Sequence, residues 1–209
     1  MVCLAIGVLA VLVGLGTPSL FPLALLEEGG FVETATLYLY VAAALGVALA
    51  RLPMLRPFDK LAVGLLLLAF AAREADLHLA LFEVSILKAS FYHRHATPGQ
   101  IVVALALLVP VALSFLLLLN RHGSLWLAPP ARWRAPVVTI ATFVALMVVT
   151  KVFDRLPAVL VELRFVQEMP VAARHVLLAL EELLELALPL LAMLAVVQGR
   201  EGPPVSRGG

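Results

Sequence analysis

Apolar residues along this chain come in blocks of about twenty, parted by short polar segments, the pattern of helices that cross a bilayer. The blocks cover 1–26, 31–50, 61–82, 101–119 and 136–153, and a last helix opens at Pro170 and runs to 197. Two stretches between them mix apolar and charged positions: 83–92, with Glu83, Lys88 and Tyr92, and 156–168, with Glu162, Arg164 and Glu168. Both read as amphipathic segments lying in the interface. The predicted fold is therefore all-α, a polytopic bundle of about six transmembrane helices. It forms one transmembrane domain over 1–197, with a Gly-, Pro- and Arg-rich tail at 198–209 expected to be disordered. Ala42, Gly46 and Ala50 stand at the spacing that lets helices approach closely in lipid.

The third block departs from this pattern. Only 61–72 is free of charge, about 18 Å of helix against the roughly 30 Å that a bilayer core demands. Arg56, Asp59 and Lys60 at its start sit among Pro53 and Pro57 and read as a loop, so the burden falls on Arg73, Glu74, Asp76 and His78 at its other end. Ionisable groups at that depth are costly and mark a functional site by default.

Composition agrees with the pattern. Hydrophobic residues make up 63% and charged residues 14%, with a mean hydropathy of +1.05, outside the range of soluble domains. The single cysteine, Cys3, excludes an internal disulfide and a cysteine-rich zinc site. A net charge of +1 carries no signal for nucleic acid and no basic run suggests it, so the lipid bilayer is the first expected partner. The first block lacks a basic leader and is read as a retained span.

Six spans would place both termini and the loops at 51–60 and 120–135 on one side. That side holds Arg51, Arg56, Lys60, Arg121, Arg132, Arg134, Arg200 and Arg207 against Asp59 and Glu201, which makes it cytoplasmic and the membrane an inner one. The other twelve acids lie in the opposite half. Counting 1.5 Å per residue sets Arg73, Glu74, Asp76, Lys151, Glu181, Glu182 and Glu185 roughly 8 to 14 Å below the outer surface. Five carboxylates then share a layer with two cations. The excess must be protonated, hydrated or matched by a bound cation.

Helical spacing divides the roles. Glu74 and His78, at i and i+4, share a face as metal ligands do, and Arg73 could pair with Asp76. On the last helix Arg174, Glu181 and Glu185 form one stripe, with His175 and Glu182 on a neighbouring one. The expected site has Glu74, Asp76 and Glu182 as acid or base, and Arg73, Lys151 and Arg174 on an anionic substrate group. Glu74, His78, Glu181, Glu182 and Glu185 are its candidate ligands for a divalent metal ion. The substrate would be lipid-linked or periplasmic. Competing readings are a proton- or cation-coupled carrier, and a non-catalytic subunit that docks a partner helix or a second copy through buried ion pairs. His93 and His95 read as loop residues, and His122 as inert.

Overall fold

A computed structural model describes residues 30–127, 134–165 and 167–200. Its regular elements there are all helical: α1 (Phe31–Leu49), α2 (Pro57–Glu74), α3 (Leu77–Phe82), a π-helical turn (Phe91–His95), α4 (Pro98–Leu127), α5 (Ala135–Glu162) and α6 (Val171–Arg200). The chain divides into two compact units. Of the described residues, the first unit holds those up to Thr36 and from Thr139 to Ala192, and the second holds Leu37 to Val138 and those from Met193 onward.

Among the described residues, three helices are long and apolar enough to cross a membrane: Phe31–Leu49, Pro98–Ser124 and Ala135–Glu162. Six spans were expected. The block at 1–26 lies outside the described residues, as do 128–133 and the tail from 201, so the expected loop and disordered tail are described only in part. α2 has Asp59 and Lys60 in its first turns and Arg73 and Glu74 in its last, which leaves too short an apolar stretch. α6 carries Arg174, Glu181, Glu182 and Glu185 along its first half.

Several boundaries differ from expectation, each for a local reason. Pro57 stands at the first position of α2, where a missing N–H costs nothing, so Asp59 and Lys60 are helical rather than part of a loop. α4 continues through Asn120 and Arg121 to Leu127. α5 does not stop at Phe153 but passes through Pro157, and the expected interfacial segment is its extension. It closes where Phe165 N–H bonds to Leu160 O and Arg164 N–H to Val161 O, with Arg164 left-handed at φ 57°. α6 runs to Arg200, into what was expected to be tail.

The largest departure falls inside the third block. α2 ends at Glu74, Asp76 is left-handed at φ 45°, and the short α3 stops at Glu83, left-handed at φ 59°. No continuous helix joins Glu74 to His78 or carries the pattern on to Tyr92.

In the first unit Val32 and Ala179 form a core against Leu178, Leu180, Leu183 and Leu186. In the second, Phe82, Ile86, Phe91 and Ala104 pack together, with Phe91 edge-on to Phe82 at 5.4 Å and to Tyr92 at 5.0 Å. Also in that unit, Tyr40 stacks on Phe70 at 5.6 Å. The buried stripe of α1 is Val32, Thr36, Tyr40, Ala43, Ala44 and Val47, while Ala42 is exposed. A Cβ on Gly199 would meet Leu52 at 3.1 Å, so the end of α6 lies against the segment after α1.

The left-handed break at Asp76 makes a clear prediction. Asp76→Gly should hold or slightly raise thermal stability in detergent, whereas Asp76→Val should cost roughly 1–2 kcal/mol. Paired thermal unfolding curves check it, and the opposite order would mean that the helix runs through this position.

Candidate functional site

The sequence-predicted residues fall in both units. Arg73, Glu74, Asp76 and His78 belong to the second, and Lys151, Arg174, Glu181, Glu182 and Glu185 to the first. In the second unit the Arg73 guanidinium lies 3.8 Å from Glu74, whose side chain is 8% exposed. Asp76 is exposed, beyond the helix end, so the spacing that would pair it with Arg73 is interrupted. The same interruption removes the shared helical face of Glu74 and His78.

In the first unit Lys151 on α5 lies 3.0 Å from Glu185 on α6 and 3.6 Å from Asp154, one turn along its own helix. Glu185 is buried, while Asp154 and Arg174 are exposed. A glutamate is seldom buried unless a partner holds it, and Lys151 is such a partner. Thr150, beside Lys151, is fully buried and donates to Met147 O at 3.0 Å. Glu181 stands one turn before Glu185 on the same face, and both Glu181 and Glu182 are half-buried. Among the described residues no group of three or more His, Cys, Asp or Glu side chains is placed to hold a metal ion.

Sequence reasoning missed a second polar centre. Asp59, taken for a loop residue, is 1% exposed at the foot of α2. Arg121 near the end of α4 donates to its Oδ1 at 2.5 Å, the Arg56 backbone N–H donates to its Oδ2 at 3.1 Å, and His122 Nε2 lies 3.5 Å from Oδ2. Next to it, Lys60 Nζ donates to Ala50 O. His122, read as inert, has its Nε2 buried without a hydrogen-bond partner among the described residues. One local signal was legible: Pro at the first helical position with Asp two residues on, placed to reach back to the N–H before the helix. The partner 62 residues away carried no local signal.

Asp59 lies outside the three candidate spans. Burial pushes its carboxyl up, but the Arg121 hydrogen bond, the Arg56 N–H and the charges of Arg121 and His122 together hold it below the ordinary 3.8. A depressed carboxyl favours folding above its unfolded value, and that contribution disappears as pH falls through the folded one. Stability in detergent should therefore hold down to the region of pH 3.8 and fall below it. Asp59→Asn should flatten this acid limb and cost roughly 1–3 kcal/mol at neutral pH, less than for a fully buried pair because Arg121 is one-third exposed. Unfolding measured across pH for both proteins checks this. The chain matches no protein-family model, no curated protein and no solved structure.

Proposed function

We propose that this is an integral protein of the inner membrane that holds a lipid-linked or periplasmic substrate at a carboxylate-rich site in the outer half of its helices. The observation that carries the reading is the 3.0 Å pair of Lys151 with buried Glu185, contributed by two long helices. Ionisable groups within apolar helices are retained where they bind, move charge or react. Glu185 precedes Gly199 by fourteen residues, about 21 Å of helix. The Gly199 end lies against Leu52, beside Arg51. With the basic end of α6 taken as cytoplasmic, as we propose, Glu185 falls in the outer half of that helix's path through a core roughly 30 Å thick.

In this reading Glu182, with Glu181, serves as acid or base, or faces a positive group of the substrate. Lys151 divides its charge between Glu185 and an incoming anionic group, and Arg174 contacts the substrate from the exposed start of α6. A carrier is the second reading. It is favoured by the buried hydroxyls of Thr139 and Thr150, eleven residues apart along α5 and so on one face, about 16 Å of polar marks along an apolar helix.

The test compares lipids and small molecules that co-purify with the full chain extracted in polymer-bounded membrane discs. The wild type should retain a ligand that Glu182→Gln loses by about tenfold, the scale of one charge-assisted contact. Lys151→Met/Glu185→Met, which leaves no buried charge behind and takes a cation only from exposed Asp154, should lose it too while keeping the helical circular dichroism. Identical recovery from all three proteins overturns the reading. Substrate-driven proton flux in proteoliposomes, abolished in Glu185→Gln, would replace it with the carrier.

A further inference from the structure

In the second unit a groove of about 540 Å³ runs between α2 and α4. Its walls are Leu61, Ala62 and Leu65 on one helix and Leu113, Ser114 and Leu117 on the other, and it reaches Phe58 and Asn120 at one end. Those two residues directly precede Asp59 and Arg121, so the groove ends at the buried ion pair. We propose that this groove seats an anionic phospholipid, with an acyl chain along the leucines and the headgroup phosphate at Arg121, Arg56 and Lys60. The proposal does not rest on the substrate site in the first unit.

Three observations support this occupant. First, α4 is the most apolar of the candidate spans, and its groove-side Leu113 and Leu116 are exposed, so hydrocarbon is the medium that meets the groove. Second, the Arg121 guanidinium bonds to Asp59 where the groove ends, and Arg56 and Lys60 flank Asp59 along the chain, so three basic residues belong to that end of the helix pair against the carboxylate of Asp59. An apolar cleft between helices with a surplus of cations at its interfacial end matches a lipid with an anionic head. Third, Arg121 spends only part of its capacity on Asp59. A guanidinium has five N–H donors, and a third of this side chain remains accessible. Asp59 thus acts as a positioning residue: it fixes Arg121 at the groove mouth and leaves donors for a phosphate, which arginine binds through two bonds at once. A neutral partner helix would fill the cleft but offer nothing to the surplus of positive charge at its end.

The full chain is reconstituted in nanodiscs of equimolar phosphatidylcholine and phosphatidylglycerol, and the lipids that stay bound on ejection are counted by native mass spectrometry. The wild type should favour phosphatidylglycerol by at least about fivefold, the effect of one basic residue near an anionic head. Asp59→Asn/Arg121→Gln leaves the net charge unchanged and strands no buried ion, yet should bring the ratio to within about twofold of parity. Arg56→Gln/Lys60→Gln, outside the ion pair, should lower the ratio and serves if the first variant fails to fold. Leu117→Trp, which narrows the groove, should reduce retention of both lipids. A wild-type ratio near one, or a preference that survives in the folded charge variants, overturns the proposal.

Discussion

A carboxylate with almost no contact with water stays ionised only if cationic and hydrogen-bonding groups surround it, and the second unit is organised by that requirement at Asp59. Arg121 must lie beside it, so the start of α2 meets the far end of α4 and the two helices run antiparallel. The opposite end of the hairpin is closed by hydrocarbon instead, where Phe82, Ile86 and Phe91 pack on Ala104 near the start of α4. A polar lock at one end and an aromatic one at the other set the register between them. The groove is the remaining space, because Ala62 and Ser114 are too small to fill the line between the larger leucines.

How much of this was legible depended on whether the signal was local. The apolar runs of α1, α4 and α5 announced membrane-length helices because hydropathy sums over consecutive residues. Proline and charge misled the boundaries. Pro57, read as part of a loop, begins a helix, and the charged residues after Phe153, read as the end of a span, lie inside one. The break after Glu74 had no glycine or proline to mark it; aspartate, which tolerates left-handed backbone better than most residues, takes that role at Asp76. One such residue ends the unbroken helix on which the i, i+4 spacing of Glu74 and His78 relied.

The site was legible in the same uneven way. A depth count needs only helix rise and a point of entry; it set Lys151 roughly 8 Å and Glu185 roughly 14 Å down without pairing them, and their 3.0 Å contact depends on side chains that such a count leaves out. Rotation about each axis was not readable, so the count could not separate buried Glu185 from exposed Arg174 on the same stripe. Asp59 was set aside as a loop residue among prolines, and His122 because it lay on the side opposite the expected site. The end of a helix is nonetheless where a long side chain can be drawn inward by a partner on the next helix while its neighbours remain in water.

The two polar centres show different answers to one electrostatic problem. Asp59 is held by a guanidinium, a backbone N–H and a nearby imidazole, three groups converging on one carboxylate, which favours a fixed geometry. Glu185 lies beside the flexible ammonium of Lys151, which also approaches Asp154. A lysine is a point charge on a mobile stem and can change partners at little cost, whereas an arginine bonded to a buried carboxylate keeps its plane. On that reasoning the Asp59 centre suits holding a ligand in place beside a rigid hairpin. The Lys151 centre suits a proposed step in which charge is exchanged, because its ammonium already lies within 4 Å of two carboxylates, Glu185 and Asp154.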